Sequence, residues 1–167
     1  LEGFVKREVE ALEAIPLDGS IEGAVDLIFN HLHTGKLGKV VVSGVGKAGH
    51  VGLLLSTKLA STGTASCFLN PLEAQHGDLG LLRENDVLFV ISNSGMTRET
   101  IELLELSKKL HANTPIVVLT KNKESALAKM ANALLLTGDT EEICPLGLTP
   151  TTSTTVMNVI CDLIVVS

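Results

Sequence analysis

Short apolar runs without polar alternation constrain the fold of this 167-residue chain more than any other feature. They lie at 39–43, 65–69, 87–91, 116–119 and 133–136. Strands with one solvated face alternate apolar and polar side chains, whereas strands buried on both faces of a parallel sheet do not. We therefore predict a three-layer α/β fold, with five parallel strands in flavodoxin-like order between two layers of helices.

Helical periodicity fills the segments between these runs and the segment before the first of them. The expected helices cover 1–15, 20–33, the stretch from the glycine turn to residue 63, 97–110, 124–130 and 151–166. Ser20 is the expected N-cap of the second helix. Because no repeat, linker or low-complexity tract interrupts the pattern, one domain is expected, with N-terminal helices in residues 1–35 and the sheet core in 39–167.

The composition excludes several classes of protein. Hydrophobic residues make up 45% of the chain, which is too many for a disordered protein. A net charge of −6 and the absence of Trp and Tyr argue against nucleic-acid binding. The apolar runs are far shorter than the roughly 20 residues of a membrane span. Three widely spaced cysteines favour a reduced, cytoplasmic protein over a disulfide framework.

A glycine-rich loop follows the first apolar run. Gly44, Gly46 and Gly49 match the G-x-G-x-x-G pattern between a strand and a helix, so a dinucleotide site is one alternative. That site expects an acidic residue for the ribose at the end of the second strand, where this sequence has Asn70. Lys47, inside the motif, suits a single charged substrate better than a pyrophosphate.

A second loop carries three hydroxyls within six residues, where a helix begins after the third run. Ser92, Ser94 and Thr97 can surround a phosphate together with the free N–H groups of the helix N-terminus, and no metal is needed. Helix capping by Ser94 or Thr97 is the alternative, but a cap requires only one hydroxyl. Ligands of open parallel sheets bind beyond the carboxyl ends of the strands, so this loop is predicted to hold an anion.

The segment SNSGMT at 92–97 resembles the S-x-S-G-x-T phosphate loop of SIS (sugar isomerase) domains. Other blocks are similar to the arabinose 5-phosphate isomerase family, namely GVGKAGH at 44–50, ASTGT at 60–64, EAQHGDLG at 73–80 and CPLGLTPTTST at 144–154. The resemblance covers nearly all of the chain from Lys39 onward. It implies interconversion of ribulose 5-phosphate and arabinose 5-phosphate, which leads toward the lipopolysaccharide sugar Kdo or a capsule. Typical members carry two CBS domains after this one, and these 167 residues contain none, so the chain is either a short form or a cut one.

The resemblance also implies roles for individual residues. Those expected to bind the substrate and its phosphate are Ser43, Gly44, Ser92, Asn93, Ser94 and Thr97. The expected catalytic groups are Lys47, Glu99, Glu142 and His76. Proton transfer through an enediol requires neither metal nor cofactor, so none is expected. The alternative is a regulatory phosphosugar-binding module, which would use the hydroxyls without needing the two glutamates.

Self-association is expected from the apolar helices at both ends of the chain. The resemblance to SIS domains implies dimers or tetramers with sites shared between subunits, and we expect a homotetramer. CMP-Kdo, the activated sugar of the pathway, is an expected feedback ligand. Family members also use a histidine from beyond the last helix, and this sequence ends before any such position.

Overall fold

A computed structural model of the chain describes residues 2–33 and 37–167. Its strands are β1 (Val40–Gly44), β2 (Ser66–Phe68), β3 (Val87–Ile91), β4 (Ile116–Thr120) and β5 (Ala133–Leu136). Every neighbouring pair is parallel, and the order across the sheet is β2-β1-β3-β4-β5. The prediction of five parallel strands in flavodoxin-like order is confirmed.

The helices are α1 (Glu2–Glu13), α2 (Ser20–Leu32), α3 (Gly46–Ser61), α4 (Pro71–Gln75), α5 (Arg98–Leu110) and α6 (Thr152–Val166). Leu1, which the first predicted helix includes, lies outside the described residues. The short helix α4 was not predicted, although its sequence carries the signal for it. The Asn70 side chain accepts a hydrogen bond from the Leu72 N–H at 3.0 Å, and Pro71 occupies the first helical position.

Helices cover both faces of the sheet, so the three central strands β1, β3 and β4 are fully buried, whereas the edge strands β2 and β5 are partly exposed. On one face Val42, Phe89 and Leu119 pack against α2, α3 and α6. On the other face Val41 and Val90 pack against Leu103 and its neighbours on α5. Within the described residues, no helix is long and apolar enough to span a bilayer.

Two local predictions are wrong. The segment 124–130 forms only a 3₁₀ turn, at Ala128–Met130, because the N–H of Leu127 donates to Gly95 O at 3.1 Å instead of to the preceding helical turn. Ser20 is the first residue of α2 and not its N-cap, which is Gly19 in a left-handed conformation (φ 87°). The Ser20 N–H donates to the Asp18 carboxylate at 3.1 Å.

The glycine pattern at 44–49 serves the contact between β1 and α3. A Cβ atom on Gly44 would lie 2.9 Å from Ile91 O, and one on Gly49 would lie 2.6 Å from Gly44 O. Gly46 has φ +60°, a left-handed conformation that favours glycine. These three positions therefore require glycine for close packing and turn geometry, whether or not a dinucleotide binds.

Candidate functional site

A cavity of about 260 Å³ opens at the carboxyl ends of β1 and β3. The strand order reverses at this place, because the chain passes from β1 outward to β2 and then returns to β3 on the other side of β1. Gly44 pairs in register with Ile91, so Val45 and Ser92 leave the sheet side by side. Open α/β sheets bind ligands at such a switch point.

The hydroxyl loop after β3 lines one side of the cavity, through Ser92, Asn93, Ser94 and Thr97. The Ser92 and Thr97 hydroxyls are hydrogen-bonded to each other at 2.8 Å. The Ser92 hydroxyl also accepts the Gly95 N–H at 3.2 Å, and the Ser94 hydroxyl accepts the Met96 N–H at 3.1 Å. These hydrogen bonds within the loop stabilise its conformation beside the cavity.

The alternative that Thr97 merely caps α5 does not fit this geometry. Thr97 is the N-cap residue, but its hydroxyl makes no capping hydrogen bond. The Thr97 hydroxyl is hydrogen-bonded to Ser92 instead, and Thr97 lines the cavity. The first-turn N–H groups of α5 therefore have no acceptor from the N-cap side chain, and a bound anion can take that place.

Three helices begin at this cavity. Lys47 and Ala48 belong to the first turn of α3, Thr97 precedes α5, and Ser153 and Thr154 belong to the first turn of α6. Each N-terminus carries a partial positive charge. Lys47 is exposed and is the one charged side chain among the described lining residues. The arrangement favours an anionic ligand.

The sequence patterns did not predict that the start of α6 forms a wall of the cavity. Its hydroxyls, Ser153 and Thr154, lie beside the apolar surfaces of Val45, Ile91, Pro150 and Met157. A sequence signal for this wall exists, because residues 151–155 all carry hydroxyls and stand at the start of a helix. Residues 92–97, which also precede a helix, carry three hydroxyls. The Thr154 hydroxyl donates to Thr151 O at 2.7 Å, which leaves its oxygen lone pairs as acceptors.

Glu142 lies at the N-terminus of α6 and does not line the cavity. Its Oε2 accepts the Thr151 N–H at 2.7 Å and the Thr151 hydroxyl at 3.1 Å. Burial alone would raise the pKa of Glu142, but hydrogen bonds from Ser153 and Thr151 outweigh it and lower that pKa below its usual value. Glu142 is therefore a carboxylate held one hydrogen bond away from the cavity wall.

Glu99 and His76, which are also expected to be catalytic, do not line the cavity either. Glu99 is half-buried in the first turn of α5, two residues after Thr97, and does not line the cavity. His76 is exposed and terminates α4. Their catalytic roles stay predictions.

Ser43 and Gly44 support the site from inside the sheet. The Ser43 hydroxyl is fully buried and donates to Leu69 O at 2.7 Å, which links β1 to the segment after β2. Gly44 packs against Ile91, as described above. Neither residue lines the cavity, and their expected binding roles stay predictions.

The described part of the chain contains no group of three or more His, Cys, Asp and Glu residues placed to hold a metal ion. Cys67, Cys144 and Cys161 are free thiols. Hydrogen bonds from the backbone N–H groups of Thr149, Leu148 and Leu146 lower the pKa of Cys144 to about 7.

A family model described as the SIS domain matches residues 36–167. The arabinose 5-phosphate isomerase KdsD of Pseudomonas aeruginosa PAO1 is 47% identical over 130 residues, covering 78% of this chain and 39% of that protein. The protein of the same name from Francisella tularensis SCHU S4 is 39% identical over 162 residues, covering 96% and 48%. The chain thus spans less than half the length of either relative.

Two solved structures have the same fold and show clear sequence similarity. A Bacteroides fragilis protein, described as a candidate phosphosugar isomerase involved in capsule formation, has a TM-score of 0.95 at 48% identity. The match covers 99% of this chain and 85% of that one. The Escherichia coli CFT073 protein c3406, in complex with arabinose 5-phosphate, has a TM-score of 0.86 at 34% identity, with the same coverage.

Proposed function

This chain belongs to the SIS domain family, and from that membership we propose that it is an isomerase interconverting ribulose 5-phosphate and arabinose 5-phosphate. The observation that carries the proposal is the cavity where the hydroxyl loop and Lys47 meet between helix N-termini. The relatives named arabinose 5-phosphate isomerase support the choice of substrate, as does the structural neighbour in complex with arabinose 5-phosphate. One SIS domain without CBS domains stays the expected organisation of these residues.

The charges around the cavity orient the substrate. The Ser92–Thr97 loop and the N-terminus of α5 offer donors to a phosphate dianion. The N-terminus of α6 already holds the Glu142 carboxylate, which repels a second anion. The phosphate therefore binds on the α5 side, and the carbonyl end of the sugar extends toward Lys47 and the α6 wall. Binding the distant phosphate positions the reacting carbons.

The reaction moves one proton between neighbouring carbons. A base removes the proton from C2 of the aldose, negative charge develops on the carbonyl oxygen of C1, and that oxygen takes up a proton to give the enediol. The O2 hydroxyl then loses its proton while C1 gains one, which gives the ketose. In this proposal the Lys47 ammonium stabilises the developing oxyanion. Glu99 and Glu142 are the two choices for the base, and His76 assists sugar ring opening.

A phosphosugar-binding regulatory module is the second candidate function. One observation favours it: none of the described residues that line the cavity is a carboxylate. A sensor needs the phosphate site but no base. The two functions differ in whether solvent hydrogen enters the sugar.

Deuterium exchange distinguishes these functions. Ribulose 5-phosphate is incubated with the protein in heavy water, and the arabinose 5-phosphate formed is analysed for deuterium at C2 by NMR. The isomerase incorporates deuterium, whereas a sensor binds the sugar without exchange. If Glu99 is the base, Glu99→Gln abolishes exchange yet retains phosphate binding, and Glu105→Gln, an exposed position on the same helix, retains both. Full turnover by Glu99→Gln would leave Glu142 as the candidate base.

The proposed assembly is a homotetramer with sites shared between subunits. Large apolar side chains exposed on α1, Phe4, Val5 and Val9, support self-association, as do the exposed Leu146 and Leu148 in the segment before α6. Sedimentation showing a stable monomer at micromolar concentration would remove this part of the proposal.

The proposed setting is the cytoplasm, in synthesis of Kdo for lipopolysaccharide or of a capsule. Free thiols support a reducing compartment. The Bacteroides neighbour involved in capsule formation supports the second pathway. CMP-Kdo is the proposed feedback ligand, and calorimetry that detects no heat of binding for CMP-Kdo would reject that role.

A further inference from the structure

The hydroxyl loop is tied to the end of β4 on the side away from the cavity. Asn93 O accepts two hydrogen bonds, from the Lys121 N–H at 3.0 Å and from the Thr120 hydroxyl at 3.1 Å. Thr120 is the last residue of β4 and is completely buried. Its hydroxyl also accepts the Asn122 N–H at 3.3 Å, which fixes the direction in which the hydroxyl donates.

These bonds set the direction of a backbone donor. In a trans peptide the C=O and the following N–H point in opposite directions, and the described chain has no cis peptide. Because Asn93 O points toward β4, the Ser94 N–H points away from β4. On that side of β3 lies β1, and with it the cavity that Ser94 and Lys47 line.

The hydroxyl loop packs against the segment 120–127 with no space between them. Gly95 has φ +64°, and a Cβ atom there would lie 2.1 Å from the Ser125 hydroxyl oxygen and 2.9 Å from the Thr120 hydroxyl oxygen. The N–H of Leu127 also donates to Gly95 O at 3.1 Å. The hydroxyl loop therefore rests directly on the segment 120–127.

We propose that Thr120 is a positioning residue for phosphate binding, and this rests on the proposed function. Its hydroxyl holds the Asn93 carbonyl so that the Ser94 N–H faces the phosphate. Thr120 itself does not line the cavity. It therefore acts on the affinity for the phosphate group and leaves the groups at the carbonyl end of the sugar in place.

The test compares Thr120→Val, which keeps the shape but removes the hydroxyl, with Thr120→Ser, which restores it. Inorganic phosphate is titrated calorimetrically, and KM and kcat are measured with ribulose 5-phosphate. Thr120→Val is expected to raise the Kd for phosphate and KM about fivefold or more, since a hydrogen bond that aligns a donor to a charged group is lost. The kcat is expected to change far less, and Thr120→Ser is expected to recover the wild-type values.

Thr114→Val is the matched control. Thr114 is a buried threonine just before β4 whose hydroxyl has no hydrogen-bond partner among the described residues. Its substitution is expected to leave phosphate affinity unchanged. Equal phosphate affinity in Thr120→Val and wild type would overturn the inference, and so would an equal loss in Thr114→Val.

A measurement on the wild-type protein covers the case in which Thr120→Val fails to fold. Titration with inorganic phosphate is expected to shift the Ser94 amide resonance downfield in ¹⁵N-resolved NMR spectra. A Ser94 amide that does not move while phosphate binds would overturn the inference and leave the proposed function standing. A wild-type protein that binds no phosphate would overturn both.

Discussion

The Oε2 atom of Glu142 lies 2.7 Å from the backbone nitrogen of Thr151, so a carboxylate nine residues earlier in the chain occupies the place of a capping group at the N-terminus of α6. The Thr151 side chain makes no capping hydrogen bond itself. Glu142 thereby fixes the first turn of α6, and with it Ser153 and Thr154 in the cavity wall.

Glu142→Gln is expected to lower stability in a pH-dependent way. The folded-state pKa of Glu142 is lowered, so its contribution is present above the ordinary pKa of a glutamate and is lost as the pH falls through the lower folded value. At pH 7 the variant should lose about 1 kcal/mol, the usual scale of a helix-capping interaction. Denaturant unfolding between pH 7 and pH 3 measures whether the difference from wild type disappears.

Glu141→Gln is the control for that measurement. Glu141 is the exposed neighbour of Glu142, and its substitution should change stability little at either pH. A loss of stability in Glu142→Gln that does not become smaller as the pH falls would show that its carboxylate charge is not what α6 requires.

Ser94→Ala is expected to weaken binding of the substrate phosphate. The Ser94 side chain lines the cavity, and hydrogen bonds to a charged group are stronger than neutral ones. KM for ribulose 5-phosphate should rise about tenfold. Thr57→Ala is the control, since the Thr57 hydroxyl is exposed on α3 and donates to Leu54 O of its own helix. Similar KM values in the two variants would contradict a phosphate role for Ser94.

Gly95→Ala is expected to destabilise the protein by more than about 2 kcal/mol. The added Cβ would meet the Ser125 side chain at 2.1 Å, and the left-handed φ of +64° disfavours alanine. Gly23→Ala should instead stabilise by up to about 1 kcal/mol, because Gly23 is an exposed residue within α2 with open space around it. Thermal or denaturant unfolding measures both, and equal stability of the two variants would refute the tight packing of the hydroxyl loop.

Cys144 is expected to be the most reactive thiol near neutral pH. Backbone N–H groups lower its pKa to about 7, so half of it is thiolate at that pH. Burial raises the pKa of Cys161 to about 12 and also raises that of Cys67. Mass spectrometry after brief treatment with iodoacetamide should find the label on Cys144, with a rate midpoint near pH 7. Labelling that is lost in Cys144→Ser confirms the assignment, whereas a midpoint above the ordinary thiol pKa of about 8.5 would contradict it.

The strands and the position of the hydroxyl loop were predictable because their signals are local. The bounds predicted for the strands at 87–91 and 133–136 are confirmed to the residue, since short uninterrupted apolar runs between turn residues are typical of strands in a parallel sheet. The hydroxyl run at 92–97 stands directly after such a strand, so its position at the carboxyl edge follows from the strand itself. The cavity lining includes Ser92, Ser94 and Thr97 as that argument requires.

The segment 124–130 shows what local signals miss. Its composition suits a helix, but the N–H groups of Ala126 and Leu127 donate to Met96 Sδ and Gly95 O of the hydroxyl loop. These backbone N–H groups therefore bond to a distant loop instead of to carbonyls of a helix within the segment. No helical periodicity of the segment could reveal partners 30 residues away.

The sequence by itself determined the buried strands that form the parallel sheet and the place of the hydroxyl loop directly after β3, because apolar runs and helix-start hydroxyls act within a few residues of one another. Only the tertiary structure decided that the start of α6 forms the opposite wall, that Glu142 occupies a helix N-terminus, and that Thr120 holds the loop from behind. These depend on the close approach of segments distant in the chain, and the geometry of a hydrogen bond between such segments is set by packing of the whole sheet and its helices.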